Sequence, residues 1–418
     1  MCIIDYVQIN FFPMNIFTST YKFKIFTLFI STLACIQNGY TQPSDISMKD
    51  LIHKNMKLAK KQYLFMTSIL PSGRMPRSFD AKGDSLITSN TKWWCSGFYP
   101  GSLWYIYEYT KDEEVKNAAE KSLNILEPEK HYTGNHDLGF MMFCSFGNAY
   151  RISGNQLYKP TIDTAAFSLI TRYRPSIKSI QSWNKNQHFN CPVIIDNMMN
   201  LELLMWVAQT NNNKILEDIA LNHANSTLKN HFRADNSSFH VLDYSLETGE
   251  VIGKKTWQGH HDSSAWARGQ AWGLYGFTMM YRFTKIPEYL QKAKDIARFM
   301  IEHPNMPTDF IPYWDYNEPS IPNTYRDAST ASILASALLE LGTFSNQQEK
   351  KRYAEVAKVI IEKLSTPEYL SKPGINGGFL LKHGVGGIPQ KSEIDVPLTY
   401  ADYYFLEAMI RYENWYLN

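Results

Sequence analysis

Three features of the sequence predict an all-α fold, a closed ring of six helix pairs, or (α/α)6 barrel, with short rim strands. Apolar residues recur at helical spacing over nearly all of the chain beyond residue 46. The stretches number about twelve, enough for six pairs. Some are rich in small and apolar residues while others carry a charged face, as expected for inner helices backed by outer ones. The first stretch, near 46–70, sets Leu51, Ile52, Met56, Tyr63, Met66 and Leu70 at three- and four-residue steps. Further stretches follow near 98–110, 113–127, 137–153, 157–173, 196–210, 213–231, 265–283, 286–303, 325–343, 346–365 and 399–415. Those at 265–283 and 325–343 read as inner, and those at 213–231, 286–303 and 346–365 as outer. Strand-like pieces at 238–244 and 376–382 are expected to form rim hairpins. No sharp linker divides the chain, so 43–418 is read as one domain.

Residues 1–42 read as a leader and signal peptide. Lys22 and Lys24 precede an apolar run from Ile25 to Ile36, the length of a signal-peptide core and too short for a comfortable membrane span. Met14 offers a second start. The expectation is an exported protein, periplasmic or at the cell surface, with no transmembrane helix in its mature form. Cys35 is a candidate for lipid anchoring, and simple cleavage near Gln42 is the alternative. Beyond the leader stand Cys95, Cys144 and Cys191. That odd, widely spaced set is neither a disulfide framework nor a metal-ligand pattern, and reads as buried thiols.

Composition narrows the function. The 418 residues are 44% hydrophobic and 20% charged with a formal net charge of +2, which gives no general attraction to nucleic acid. The aromatic share of 14%, with 10 Trp, fits core filling and also sugar-stacking surfaces. The long connections 174–195, 232–264 and 304–324 carry Trp183, His188, His240, Thr256, Trp257, Gln258, His260, His261, Asp262, Trp314 and Asp315, residue types that hold sugars. Two carboxylates sit inside apolar runs, Asp137 in His136-Asp137-Leu138-Gly139-Phe140 and Asp196 in Val193-Ile194-Ile195-Asp196-Asn197-Met198-Met199-Asn200. Desolvation there is costly unless a partner or a reaction uses the charge, which points to acid/base chemistry. The competing reading is a helix N-cap, since each begins a helical stretch. Gly259-His260-His261-Asp262 is not read as a metal site, because adjacent histidines do not point the same way and no further ligands stand at zinc-like spacing.

Taken in order, several segments resemble glycoside hydrolase family 88, the unsaturated glucuronyl hydrolases. They are Ser96-Gly97-Phe98-Tyr99-Pro100-Gly101-Ser102-Leu103-Trp104, Asn135 to Phe140, Ile195 to Leu201, Ser264-Ala265-Trp266-Ala267-Arg268-Gly269-Gln270-Ala271-Trp272-Gly273, Arg326 to Ser332, and Asp395 to Tyr404. The resemblance implies an (α/α)6 barrel and removal of a 4,5-unsaturated uronic acid from oligosaccharides made by polysaccharide lyases. Such enzymes protonate C4 of the vinyl ether and add water at C5, and the resulting hemiketal opens and expels the remaining sugar. No cofactor or metal is implied. By the same resemblance Asp196 is the general acid/base and Asp137 the second essential carboxylate. Arg268, Gln258, Thr256 and His240 would meet the unsaturated sugar. Trp272 would contact its ring, with Trp94, Trp183 and Trp266 as further candidates. Alternatives are an unsaturated rhamnogalacturonyl hydrolase acting on pectin products, a non-catalytic glycan-binding protein and an ordinary inverting glycosidase. The loop Lys382 to Lys391 lies where relatives recognise sulfate but lacks the serines expected for it, leaving Lys391 as the one candidate there.

Overall fold

The computed structural model describes residues 47–417. The expected leader, with Cys35, lies outside them. The expected helices are present as α1 (Met48–Ile69), α2 (Phe98–Thr110), α3 (Glu113–Leu126), α4 (Asn148–Ser153), α5 (Lys159–Ile170), α6 (Leu201–Asn211), α7 (Lys214–Asn230), α8 (Ala267–Thr284), α9 (Pro287–Glu302), α10 (Ala328–Thr343), α11 (Gln347–Leu364) and α12 (Thr399–Tyr412). Two begin with altered winding. A π-helical run, Gly139–Gly147, leads into α4, and a 3-10 run, Ile195–Asn200, leads into α6.

Burial explains the alternation. Residues 328–342 of α10 and all of α12 are buried, as are residues 267–280 of α8, because these helices are enclosed on every side. On α9 only Tyr289, Ala293, Ile296, Ala297 and Met300 are buried, a single stripe at helical spacing. Packing runs from α2 to the π-helical run, then to α6, α8, α10, α12 and back to α2, which closes an inner ring, while α3, α7, α9 and α11 each back the inner helix before them. The result is the (α/α)6 barrel. Caps end the outer and inner helices cleanly: Asp112 accepts from the N–H groups of Glu114 and Val115, Asn346 forms a capping box with Glu349, and Asp327 caps α10. Among the described residues no helix is long and apolar enough to cross a membrane.

The rim differs from expectation in one place and adds strands in others. Residues 376–382 form no hairpin. A short 3-10 turn, Asn376–Gly378, is followed by extended chain whose Leu380 and Leu381 N–H groups donate to Asp402 (2.8 and 2.9 Å), which pins the segment to α12, and its strand pairing is reduced to an isolated antiparallel bridge between Leu381 and Leu370. The hairpin comes just after it, as β8 (Gly384–Gly387) and β9 (Ser392–Val396). The 238–244 strand is present as β6 (Val241–Tyr244), the centre of a three-stranded antiparallel sheet with β5 (Pro192–Ile194) and β7 (Val251–Lys255). A hairpin of β1 (Met75–Asp80) and β2 (Ser85–Ser89) and a short ladder of β3 (Tyr173–Arg174) with β4 (Ser179–Ile180) complete the rim.

Candidate active site

A cavity of about 340 Å³ opens at the N-terminal ends of the inner helices. Its wall includes Trp94 just before α2, Asp137 before the π-helical run, Asp196 in the 3-10 turn, Arg268 in the first turn of α8 and Tyr400 in the first turn of α12. Parallel inner helices therefore turn the positive ends of their dipoles toward one space, a setting that favours an anionic ligand. Below the wall the lumen is plugged. Trp272, buried completely, packs on Phe140 (ring centroids 5.1 Å apart) and Tyr404 (5.4 Å). At the far end Arg411 and Arg282 bind Glu340, and Glu407 accepts from Tyr105 and Tyr275.

Sheet register brings the first carboxylate to its histidine. Ile194 pairs with Val241, and the next N–H, of Ile195, donates to the His240 carbonyl (3.1 Å), so Asp196 and His240 emerge side by side. The Asp196 Oδ2 atom stands 3.6 Å from His240 Nε2. The second carboxylate is set by a close helix approach: a Cβ on Gly139 would sit 2.4 Å from the Asn200 Cα, and Asn200 Oδ1 accepts from the Phe140 N–H (3.0 Å). Only glycine permits that approach.

Hydrogen bonding fixes both imidazoles. The Nδ1 atom of His240 accepts from the Trp257 and Gln258 N–H groups (3.1 Å each), so the neutral ring carries its proton on Nε2, facing Asp196. His136 repeats the arrangement: its Nδ1 faces the Asn200 amide nitrogen at 3.5 Å, and its Nε2 stands 3.4 Å from Asp137 Oδ1. Burial drives both rings down, His136 to about 3 and His240 well below the usual histidine range, so each stays neutral. The carboxyls move the other way. Burial lifts Asp196 to about 7, opposed by Arg268 and the Trp272 indole and reinforced by the charge of Asp137. Burial also lifts Asp137 to about 7, opposed by Arg172 and Asn200. Neither side chain serves as a helix cap. Asp196 Oδ2, His240 Nε2, Arg268 Nε and the Tyr400 hydroxyl are buried without a partner among the described residues, the pattern of a site built for a polar ligand.

The expected residues divide into wall and support. Asp137, Asp196, Gln258, Arg268, Trp94 and Trp183 line the cavity. Trp272 does not, because it lies one turn deeper on α8 than Arg268 and is fully buried. Trp266 is also buried, its ring 4.5 Å from both the His240 ring and the Arg268 guanidinium carbon. Thr256 is a loop brace: its hydroxyl accepts from the Gly259 N–H (2.8 Å) and its own N–H donates to Asp262 (2.8 Å). His240 is likewise supporting, behind Asp196. The forked nitrogens of Arg268 bind the carbonyls of Val385 and Gly386, and Gln258 Nε2 binds Gly386 O (3.0 Å), so both hold the β8–β9 hairpin against the wall. The run 259–262 is a braced turn, with the His260 N–H on Asp315 (2.9 Å) and His261 Nδ1 against Ser263 (2.9 Å).

Sequence reasoning assigned no role to several wall residues. His136 and Tyr400 stand inside segments already singled out, and adjacency to Asp137 was the available signal for the first. Burial pushes the Tyr400 phenol well above its ordinary value, so it remains a donor. Arg77, stacked 4.3 Å over Trp93 and paired with Glu393 (2.6 Å), comes from the unforeseen β1–β2 hairpin. Ser392 and Glu393 come from the hairpin that lies beyond the expected one, whose Gly386, Gly387 and Gln390 belong to the loop Lys382 to Lys391 that the resemblance marks for sulfate.

Comparison with known proteins supports the barrel fold and the family resemblance. The family model described as Glycosyl Hydrolase Family 88 matches residues 72–415. An unsaturated glucuronyl hydrolase of Formosa agariphila is 45% identical over 345 residues, 82% of this chain and 86% of that protein. An unsaturated chondroitin disaccharide hydrolase of Streptococcus pyogenes is 30% identical over 385 residues, 91% of this chain and 92% of that one. A crystal structure of an unsaturated glucuronyl hydrolase specific for heparin superposes with a TM-score of 0.85 at 43% identity, covering 88% of this chain and 98% of the other. These likenesses support the glucuronyl reading over the pectin-product and glycan-binding alternatives. With a family match across most of its length and relatives of this identity, the chain belongs to glycoside hydrolase family 88 and is a glycoside hydrolase.

Proposed function

We propose that the enzyme removes the 4,5-unsaturated uronic acid from the non-reducing end of oligosaccharides released by polysaccharide lyases, of glycosaminoglycan or ulvan type. The observation that carries the reading is a pair of carboxyls lining one cavity, Asp196 and the largely buried Asp137, each lifted by burial to about 7, with the charge of Asp137 raising Asp196 further. A pair of that kind holds one proton near neutrality. In the proposed reaction Asp196 donates its proton to C4, and the positive charge that develops at C5 is shared with the ring oxygen. Ionised Asp137 stabilises that charge. Water adds at C5 and gives up a proton to Asp196, restoring the acid. The hemiketal then opens and the neighbouring sugar leaves.

Arg268, the helix N-termini and the Tyr400 hydroxyl favour the uronate carboxylate, while Trp94 and Trp183 offer faces to the sugar rings. The β8–β9 hairpin would meet the next sugar; Lys391, at its exposed tip, stands outside the wall. The cationic and apolar leader supports export to the periplasm or cell surface, with Cys35 as the candidate lipid-attachment residue. Mass determination of the mature N-terminus tests that placement, and an unprocessed chain would contradict it.

The test of function is loss of the ultraviolet absorbance of the conjugated alkene on a panel of lyase-generated oligosaccharides, sulfated and unsulfated glycosaminoglycan and ulvan products among them. Decay on one class names the substrate. No decay on any member overturns the reading.

A further inference from the structure

Among the described residues Arg172 is a cation buried without a contacting anion. It follows α5 and is 4% exposed. Its Nε donates to Gln181 O (2.8 Å), Nη1 to Thr133 O (2.7 Å) and to Asn184 Oδ1 (3.2 Å), and Nη2 to the same Asn184 oxygen (3.2 Å). Every acceptor is neutral. An unpaired buried guanidinium is costly, and a charge kept at such cost usually has a use nearby.

The segments it grips supply the use. Thr133 stands four residues before Asp137, and Gln181 and Asn184 bracket Trp183 on the cavity wall. Between them the His136 N–H donates to Ser182 O (3.1 Å). One guanidinium thus ties the approach to Asp137 to the loop that carries Trp183. We propose that Arg172 is a positioning residue, a fixed cation behind the site that favours the ionised form of Asp137 and holds the Trp183 wall in place. The proposal rests on the reading of Asp137 as an ionised stabiliser.

Other charges around the pair do not supply this effect. On the Asp137 side stand neutral His136, Asn200 and Asp196; on the Arg172 side stand Arg174, Tyr132 and Cys191. The Arg174 guanidinium is engaged with Gln181 Oε1 (3.0 Å) and with the carbonyls of Thr171 and Tyr173. Arg172 opposes the upward push of burial on Asp137, and Asn200 opposes it less.

Three variants separate electrostatics from bracing. Arg172→Gln removes the charge, and the acid limb of kcat/KM should move up by about one pH unit, a loss of roughly tenfold near pH 6 that shrinks toward pH 8. Arg172→Lys keeps the charge but loses the fork, so the plateau falls while the limb stays in place. Asn184→Asp, at an exposed position 3.2 Å from the guanidinium, neutralises the cation without removing it and should move the limb in the same direction, by roughly threefold in rate near pH 6. If Arg172→Gln does not fold, Asn184→Asp decides. An unmoved acid limb in the folded neutralising variants overturns the proposal. Asp137→Asn makes the two failures distinguishable, since near wild-type turnover in that variant overturns the role of Asp137 itself, whereas an inactive Asp137→Asn beside an unmoved limb overturns Arg172 alone.

Discussion

Raising the pH should extinguish activity through Asp196, an effect set by the structure. An ordinary aspartate with the reference value of 3.8 would hold its proton in only about one molecule in a thousand at neutral pH. Lifted to about 7, Asp196 holds it in about half. Asp137 titrates in the same range, so the active form is the singly protonated pair and kcat/KM should be bell-shaped with its centre near pH 7. Each limb falls about tenfold per unit, which places the rate near pH 9 roughly tenfold to a hundredfold below the maximum. The assay is the initial rate of absorbance loss at subsaturating substrate in buffers of constant ionic strength. The substrate carboxylate titrates far below this range and does not distort the alkaline limb. A rate that is flat from pH 6 to pH 9 would refute the reasoning, because it would mean that no acid in the site titrates near neutrality.

Other expectations concern single residues. Asp196→Asn should lower turnover by at least about a hundredfold with the fold intact, read by the same assay and circular dichroism. It should also change the pH dependence of stability. A folded-state value raised from 3.8 to about 7 makes ionisation costly to the native state, so that contribution is whole below about pH 4 and lost as pH rises through 7. The variant should therefore melt above the wild type at pH 8, and the gap should close in acid. Arg268→Lys should lower kcat/KM about tenfold or more, because a single ammonium cannot hold the carbonyls of both Val385 and Gly386 and the hairpin wall loosens; unchanged kinetics would remove Arg268 from the site. Gly139→Ala forces a Cβ against Asn200 and should cost about 1–3 kcal/mol, seen as a lower Tm by calorimetry.

What the sequence made legible was decided by range. Helices are local, and α8 and α10 announce their inner position through stretches rich in small and apolar residues, as α9 announces its outer one through a single apolar stripe beside a charged face. Asp137 and Asp196 were legible because a charge inside an apolar run is conspicuous within ten residues. The hairpins were not, since the choice between a strand at 376–382 and one at Gly384–Gly387 is made by Asp402, some twenty residues away, which captures two N–H groups that a hairpin would have used. Trp272 shows the same limit. Its position four residues after Arg268 places it on the same face of α8, but whether that face meets sugar or core depends on how far the turn lies below the rim. Arg77 carried no local signal at all, because its neighbours on the wall are Trp93 and a carboxylate more than three hundred residues away.

The layer of Phe140, Trp272 and Tyr404 gives the cavity a floor, and a floor imposes an order of departure. In the proposed binding mode the sugar that reaches the two carboxyls lies deepest, with its neighbour between it and the mouth of the cavity. After the hemiketal opens, the neighbouring saccharide must go first and the ring-opened uronate last. Product inhibition should therefore be asymmetric, competitive for the uronate, which rebinds the empty enzyme, and noncompetitive for the saccharide, which rebinds only while the uronate still occupies the bottom. A long saccharide, slow to diffuse from the mouth, would delay the next turnover even where the chemistry at the floor is unchanged.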